Sequence, residues 1–203
     1  MSTIILIRHC ETDLSGRFCG HSDPDLNPSG KREAIRVAEE VSKLNISRIF
    51  SSDLRRAVQT AKAIADRTEI EVDYDTSLRE IHFGQWEGLT WHEIESRFAE
   101  EAAQWLRKYP LQGAPGGEDY AAFVSRAETA IAVLLREAQE ATVAVVTHRG
   151  VMRHALINLF GFEESDASTR TAAYGSTVIT MTPQFLREEL PLSQKHFRGI
   201  GGR

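Results

Sequence analysis

Arginine and histidine side chains follow three apolar segments of this sequence. Arg8 and His9 come directly after the first segment, Arg55 and Arg56 lie a few residues beyond the second, and His148 follows the third. A guanidinium group presents a planar fork of N–H donors that matches the oxygens of a phosphate. An imidazole with a pKa of about 6.5 is largely neutral at pH 7, and a neutral imidazole can act as a nucleophile. Together these residue types predict a site for a phosphate group.

The three apolar segments, 4–7, 48–52 and 142–146, have the pattern of buried β-strands. Short, unbroken apolar runs are typical of strands covered on both faces, as in a parallel sheet. Helical patterns separate the segments, and right-handed crossovers between parallel strands place the carboxyl ends at one edge of the sheet. Ligands of open α/β sheets bind at that edge. We therefore expect the arginines and histidines to meet there, where burying them without an anion would be costly.

The remaining segments complete an α/β fold with three layers, α/β/α, a mostly parallel central sheet and a small helical cap. Helical spacing and capping residues predict helices that start at Asn27-Pro28 and at a Thr90/Glu93 capping box, with others over 53–66 and 118–140 and after His148 through Leu159. A last strand over 174–182 is expected to pair with 184–190. We expect one domain over 1–203, with the cap at roughly 85–140.

The composition excludes several classes of function. The chain has 203 residues and a net charge of −5, which argues against a broad nucleic-acid-binding face. No stretch approaches the ~20 apolar residues of a membrane span, and the start lacks the pattern of a signal peptide. Two cysteines are too few for a disulfide scaffold. We expect a cytoplasmic protein with free thiols that acts on a small molecule, without a nucleic-acid or membrane partner; a homodimer is left open.

Residues 8–12, Arg-His-Cys-Glu-Thr, resemble the Arg-His-Gly-Glu-Thr signature of the histidine phosphatase superfamily, the phosphoglycerate-mutase-like proteins. Three further segments resemble its other motifs in the same order, namely 52–61 (SDLRRAVQTA), 78–84 (LREIHFG) and 147–150 (THRG). One Arg-His pair would be a weak signal, but four motifs in order, covering most of the chain, are specific.

The resemblance implies a role for each matched residue. His9 is the nucleophile that becomes transiently phosphorylated, and Arg8, Arg56 and His148 hold the phosphoryl oxygens. Glu80 protonates the leaving oxygen and later deprotonates the attacking water. We take His9, Glu80 and His148 as catalytic residues and Arg8 and Arg56 as substrate-binding residues. The implied mechanism requires no metal and no other cofactor.

Further substrate contacts are expected from the loop 13–24 and from the residue after His148. Members of the superfamily often have an asparagine in this loop as a phosphate ligand, and Ser15 is nearest to that position by count. We also assign Cys19 and Gly20 of the loop to substrate binding. Arg149 completes the set and stands where mutases commonly have glycine.

Cys10 departs from the family pattern, because glycine usually follows the nucleophile. If that glycine allows a close approach of the backbone, the β-carbon and sulfur of Cys10 would crowd the pocket. A cysteine beside the nucleophile also suggests the hypothesis that oxidation inactivates the enzyme. The alternative is that Cys10 is a small buried residue that fills space in the core.

The segment 85–117 favours a phosphatase over a mutase. Phosphoglycerate mutases carry a longer insertion with basic residues, whereas here Arg97, Arg107 and Lys108 are the lysines and arginines of this segment. Residues 82–88 resemble the corresponding segment of α-ribazole phosphatases. We therefore predict a metal-independent phosphomonoester hydrolase that works through a phosphohistidine, with α-ribazole 5'-phosphate as a candidate substrate. The alternatives are a phosphoglycerate-mutase-type phosphotransferase and a module that binds phosphate esters without turnover.

Overall fold

The computed structural model describes residues 3–108, 112–138 and 141–181 of the chain. Its centre is a sheet of five strands: β1 (Thr3–Arg8), β2 (Arg48–Ser51), β3 (Val72–Tyr74), β4 (Thr142–Thr147) and β5 (Thr177–Met181). The strands are ordered β3-β2-β4-β1-β5. Neighbouring strands are parallel, except that β5 runs antiparallel to β1. The predicted mostly parallel sheet is confirmed.

Helices cover both faces of the sheet, as the unbroken apolar strands predict. They are α1 (Pro28–Val41), α2 (Arg55–Thr68), α3 (Trp91–Arg97), α4 (Ala99–Lys108), α5 (Tyr120–Glu137), α6 (Arg149–Asn158) and α7 (Glu164–Arg170). Side chains alternate along β1, so that Ile5 and Ile7 pack with α1 and α2 while Ile4 and Leu6 pack with α5 and α6. This arrangement is the α/β/α fold expected from the sequence.

The expected helix starts are found with small shifts. Asn27 caps α1, and its side chain accepts a hydrogen bond from the N–H of Gly30 at 2.7 Å. Thr90 and Glu93 form the predicted capping box of α3. The second helix begins at Arg55 rather than at 53, because Leu54 has extended backbone angles. The long helix begins at Tyr120 rather than at 118, because Asp119 caps it through the N–H of Ala122.

Two other expectations differ from the structure. The pattern after the Thr90/Glu93 capping box predicts one helix that carries Trp91, Ile94, Phe98 and Trp105. In the structure this helix is broken at Phe98, which leaves helical backbone angles and packs against an aromatic cluster around Trp86. The last strand begins at Thr177 rather than at 174, and the short helix α7 before it has no clear pattern in the sequence. The predicted partner strand at 184–190 and the tail lie outside the described residues.

The helices between β3 and β4 belong to different packing groups. Apolar residues of α5 pack on the sheet in the larger core, whereas α3 and α4 join the cluster around Trp86. The single domain with a cap at 85–140 remains a prediction. Within the described residues, we find no helix whose length and apolarity would let it cross a membrane.

Candidate active site

The carboxyl ends of β1 and β4 bring both histidines together. Arg8 is the last residue of β1, and the backbone N–H of His9 donates to the carbonyl of Thr147 at the end of β4, at 2.9 Å. The ring centroids of His9 and His148 lie 5.0 Å apart. Arg56, from the first turn of α2, places its Nε 3.3 Å from Nε2 of His9. Side chains from three separate parts of the chain therefore meet at one edge of the sheet.

The surroundings of His9 fix its tautomer. Its Nδ1 lies 2.8 Å from the carbonyl oxygen of Cys10 and therefore donates the proton of the ring. Its Nε2 then carries a lone pair and accepts from Nε of Arg56. Burial, together with the positive charge of Arg56, lowers the pKa of His9 well below its usual range. His9 is thus a neutral imidazole with an unprotonated Nε2 at the site.

Arg56 is fully buried and held by backbone carbonyls of the loop 13–24. Its Nη atoms donate to the carbonyl oxygens of Ser22 and Gly20, both at 2.7 Å, and of Cys19 at 3.3 Å. Among the described residues, no carboxylate is within ion-pair distance of this guanidinium. An unpaired buried cation is costly, so this charge favours a bound anion beside it.

His148 and Arg8 each have a buried nitrogen without a hydrogen-bond partner among the described residues. Nε2 of His148 lies 2.9 Å from the hydroxyl of Ser52, but its Nδ1 has no partner. Burial, and then the charge of Arg56, lowers the pKa of His148 well below its usual range. Arg8 donates to the carbonyls of Thr171 and Ala172, while its Nε is unsatisfied. Buried polar atoms normally have partners, so these two nitrogens indicate where ligand oxygens would bind.

Glu80 is buried, and its carboxylate packs against the first turn of α6. One carboxylate oxygen accepts from the N–H of Gly150 at 2.9 Å, and the other accepts from the N–H of Ile81 at 3.1 Å. A β-carbon added at Gly150 would lie 2.2 Å from Oε1 of Glu80. Glycine at 150 therefore makes room for this carboxylate, which a sequence motif alone does not show.

A cavity of about 240 Å³ lies at this edge of the sheet. Five of the predicted site residues line it: Arg8, His9, Cys19, Glu80 and Arg149. Arg56 and His148 are fully buried next to His9.

Three residues expected near the substrate, Ser15, Gly20 and Cys10, do not line this cavity, and the substrate contacts of Ser15 and Gly20 stay predictions. Ser15 is exposed and does not line the cavity. Gly20 is buried, and both of its backbone groups form hydrogen bonds within the protein. Its N–H donates to Glu87, and its carbonyl oxygen accepts from Arg56. Cys10 does not crowd the pocket, because its side chain packs into the apolar core between the sheet and α1.

Sequence reasoning missed Tyr174, which precedes β5. Its ring lies beneath the guanidinium of Arg8, with Cζ 4.0 Å from the ring centroid, and its centroid is 5.5 Å from that of His9. It also lines the cavity. No pattern near residue 174 indicates this contact, which arises because β5 pairs with β1.

Glu87 was also missed, although its position between Trp86 and Gly88 in an irregular segment is unusual for a carboxylate. It accepts hydrogen bonds from the backbone N–H groups of Gly20, His21, Ser22 and Phe83 and from the Ser22 hydroxyl. Burial raises the pKa of Glu87, but these hydrogen bonds outweigh burial and leave the pKa below its usual range. Glu87 thus fixes the loop whose carbonyls bind Arg56.

The described residues contain no group of three or more His, Cys, Asp or Glu side chains that could hold a metal ion.

Three comparisons with known proteins point to one family. A sequence model of the histidine phosphatase superfamily (branch 1) matches residues 4–185. Phosphoserine phosphatase 1 of Hydrogenobacter thermophilus is 32% identical over 167 residues, which cover 81% of this chain and 79% of that protein. The structure of a mycobacterial glucosyl-3-phosphoglycerate phosphatase with VO3 has a TM-score of 0.80 and 27% identity, covering 92% of this chain and 94% of that one. The α-ribazole phosphatase of Shigella flexneri also has a TM-score of 0.80, with 25% identity over 90% of this chain and 91% of that one.

Proposed function

The chain belongs to the histidine phosphatase superfamily, and from that premise we propose that it hydrolyses phosphate monoesters through a phosphohistidine formed on His9, without a metal. One observation carries the proposal. The unprotonated Nε2 of His9 lies beside a buried, unpaired guanidinium and in a pocket with unsatisfied N–H groups. A nucleophile and oxyanion-binding donors are the two requirements of this chemistry.

In the first step, the Nε–H of Arg56 moves from Nε2 of His9 to a phosphoryl oxygen of the substrate, which frees the lone pair of Nε2. Nε2 then attacks phosphorus, and the bond from phosphorus to the ester oxygen breaks. Glu80, protonated at the start, gives its proton to the departing oxygen, so that an alcohol leaves rather than an alkoxide. Arg8, Arg56 and His148 donate hydrogen bonds to the phosphoryl oxygens. The transition state is loose, so positioning and charge stabilisation contribute most to the rate.

In the second step, a water molecule attacks the phosphoryl group on His9. Glu80, now a carboxylate, takes a proton from the water, and the phosphorus–nitrogen bond breaks. Inorganic phosphate leaves, His9 is neutral again and Glu80 is protonated for the next cycle. The location of Glu80 in the same cavity as His9 supports both roles.

We propose a small organic phosphate monoester as the substrate. The relatives named above act, by their names, on phosphoserine, glucosyl-3-phosphoglycerate and α-ribazole phosphate, so the shared feature is the monoester and not the alcohol. We keep α-ribazole 5'-phosphate as the named candidate. A panel of metabolite phosphates, assayed for released phosphate, would rank the candidates, and phosphoglycerate with a bisphosphate primer would reveal mutase activity.

The first test is turnover of p-nitrophenyl phosphate with and without EDTA. We expect equal rates in the two conditions and no detectable turnover by His9→Asn. His92→Asn is the matched control, since His92 is exposed on α3, and it should turn over at the wild-type rate. Residual turnover by His9→Asn at more than a few per cent, or loss of activity in EDTA, would refute the mechanism.

A second variant tests the proton transfer. Glu80→Gln should slow alkyl phosphates about 100-fold or more, because an alkoxide needs a proton to leave, which is the usual contribution of general acid catalysis. The formation of the phosphoenzyme from p-nitrophenyl phosphate should be affected far less, because nitrophenolate leaves without a proton. If Glu80→Gln slows phosphoenzyme formation equally for the alkyl ester and for p-nitrophenyl phosphate, Glu80 is not the general acid.

A further inference from the structure

A second cavity, of about 350 Å³, opens next to the phosphate cavity. Both cavities are lined by Phe18, Glu80, Phe83 and Arg149. Under the proposed function, the leaving oxygen must lie against Glu80, since Glu80 gives it a proton. The group attached to that oxygen then extends past Glu80 into the second cavity, because Glu80 lines both cavities.

Five of the fifteen residues that line the second cavity are phenylalanine, tryptophan or tyrosine. The rings of Phe18 and Phe83 meet edge to face with their centroids 5.0 Å apart, and the other three are Trp105, Tyr120 and Phe123. The volume is near the lower end for small-molecule sites, which hold about 300–1,000 Å³. Aromatic walls of this kind favour a flat or apolar organic group over a strongly hydrated one.

Arg149 is the cation of this cavity without an acidic partner among the described residues. Its polar contact is a hydrogen bond of 3.3 Å to the hydroxyl of Ser168, and the side chain is exposed. The other basic side chains of this cavity have acidic partners: Arg153 pairs with Glu164, and His154 contacts Glu128.

The position of Arg149 is electrostatically unfavourable without an anion. It is the first residue of α6, where the helix dipole favours negative charge. It also lies close enough to Arg8 for the two positive charges to repel each other, which is one of the causes that lower the pKa of Arg8 after burial. A second negative charge on the ligand, beyond the phosphate, would relieve both effects.

We propose that the second cavity binds the leaving group of the substrate, and that this group is a flat or apolar alcohol bearing a carboxylate that pairs with Arg149. The inference rests on the proposed function and narrows its substrate class, and it argues against α-ribazole 5'-phosphate, whose alcohol has no carboxylate. The aromatic side chains hold the carbon skeleton, and the planar fork of Arg149, which lines both cavities, holds the carboxylate.

The test compares two pairs of esters that differ by one charge. They are 4-carboxyphenyl phosphate with 4-carbamoylphenyl phosphate, and the corresponding 3-substituted pair. The amide is the more electron-withdrawing group, so intrinsic reactivity favours the neutral ester and a preference for the carboxylate must come from binding. The measured quantity is the ratio of kcat/KM for the anionic ester to that for the neutral one.

In the wild type we expect a ratio of about ten for at least one pair, the value of one charge-assisted hydrogen bond. Arg149→Gln should bring this ratio to about one, mainly through KM of the anionic ester, and Arg149→Lys should retain part of it. Arg55→Gln is the matched control, because Arg55 is an exposed first residue of α2 that pairs with Asp25. It removes the same charge elsewhere and should leave the ratio unchanged.

Each other outcome overturns the inference while sparing the proposed function. A wild-type ratio of one for both pairs means that the cavity does not select a carboxylate. If Arg149→Gln slows the anionic and the neutral ester equally, Arg149 binds the phosphate and not the leaving group. Failure of the proposed function gives a different result. In that case the wild type would hydrolyse none of the four esters, or His9→Asn would hydrolyse them as fast as the wild type.

Discussion

The contact between Arg56 and His9 determines which form of the imidazole is present. A buried guanidinium at 3.3 Å from Nε2 can donate to a lone pair but would repel a proton there. The carbonyl of Cys10 holds the remaining ring proton on Nδ1. The same two neighbours therefore make the imidazole neutral and leave its lone pair on Nε2. Protonation state and orientation of the proposed nucleophile have one structural cause.

At the scale of single residues, the structure argues against the hypothesis that oxidation of Cys10 inactivates the enzyme. Burial is the main cause that raises the pKa of the Cys10 thiol to about 12, and the side chain is fully buried. Peroxide reacts with thiolates, so we expect Cys10 to remain a thiol after mild peroxide treatment of the folded protein. Peptide mass spectrometry would show this, with urea-unfolded protein as the reactive control. A sulfenic acid or its adduct at Cys10 of the folded protein would contradict the expectation.

The residues that the sequence could place are those tied to strand ends. Arg8 ends β1, and His9 and His148 directly follow β1 and β4, so the topology alone brings the three residues together. Ser15 and Gly20 lie in a loop whose path depends on hydrogen bonds to Glu87 and Arg56, and no local pattern encodes that path. The direction of the Cys10 side chain likewise depends on the packing of α1 against the sheet.

At the scale of elements, the first turn of α6 positions Glu80. Alanine is normally a better helix former than glycine, but Gly150→Ala would place a β-carbon 2.2 Å from Oε1 of Glu80. We expect this variant to fold and to lose about 100-fold in kcat for alkyl phosphates, since the proton donor is displaced. Circular dichroism and the kinetics of one alkyl ester check both parts. Wild-type kcat in a folded Gly150→Ala variant would contradict the account.

Helix α5 holds the segment that carries Glu80. Arg126 donates to the carbonyls of Ser77, Arg79 and Glu80 at 2.7–3.0 Å and pairs with Glu118 at 2.6 Å. Removing one partner of a largely buried pair is strongly destabilising, so we expect Arg126→Met to lose about 3 kcal/mol in urea unfolding. It should also lower kcat for alkyl phosphates, since Glu80 loses its support.

Arg170→Met is the control for that variant, because Arg170 pairs with Asp166 on the exposed surface of α7. Exposed pairs contribute about 0–1 kcal/mol, so this control should change the free energy of unfolding very little. Equal losses in the two variants would mean that Arg126 has no special role in holding the Glu80 segment.

The type and order of the main elements could be predicted, whereas some of their ends could not. Apolar periodicity and caps such as Asn27 and Thr90 are local signals, and the structure confirms them. The break at Phe98 and the start of α2 at Arg55 depend on packing with distant aromatic residues and on the extended backbone of Leu54. Such effects are absent from a local pattern.

At the scale of the whole molecule, the site makes stability depend on pH. Burial lowers the pKa of both His9 and His148 in the folded state, while an unfolded imidazole has a pKa of about 6.5. Below that pH the unfolded chain binds protons that the folded protein does not bind, so the free energy of unfolding falls as the pH falls. Each histidine contributes a slope of up to about 1.4 kcal/mol per pH unit.

Urea unfolding between pH 5 and 7, in a buffer without phosphate or other oxyanions, measures this slope. We expect a double variant, His9→Asn with His148→Asn, to have a clearly shallower slope than the wild type. The comparison isolates the two histidines because all other titrating groups are the same in both proteins. Identical slopes would contradict the assignment of two neutral, buried imidazoles to the site.

The most direct test of the central claim is detection of a phosphoryl group on His9 during turnover. Glu80→Gln, mixed with p-nitrophenyl phosphate, should form the phosphoenzyme readily and hydrolyse it slowly, since the second step has lost its base. The reaction is quenched in alkaline urea within milliseconds, and the protein is digested. Mass spectrometry should then find the phosphoryl group on the peptide that contains His9. This group should be lost in acid and stable in base. Two results would contradict the account. One is steady release of nitrophenolate while His9 is unmodified at every time point, and the other is a phosphoryl group on another residue.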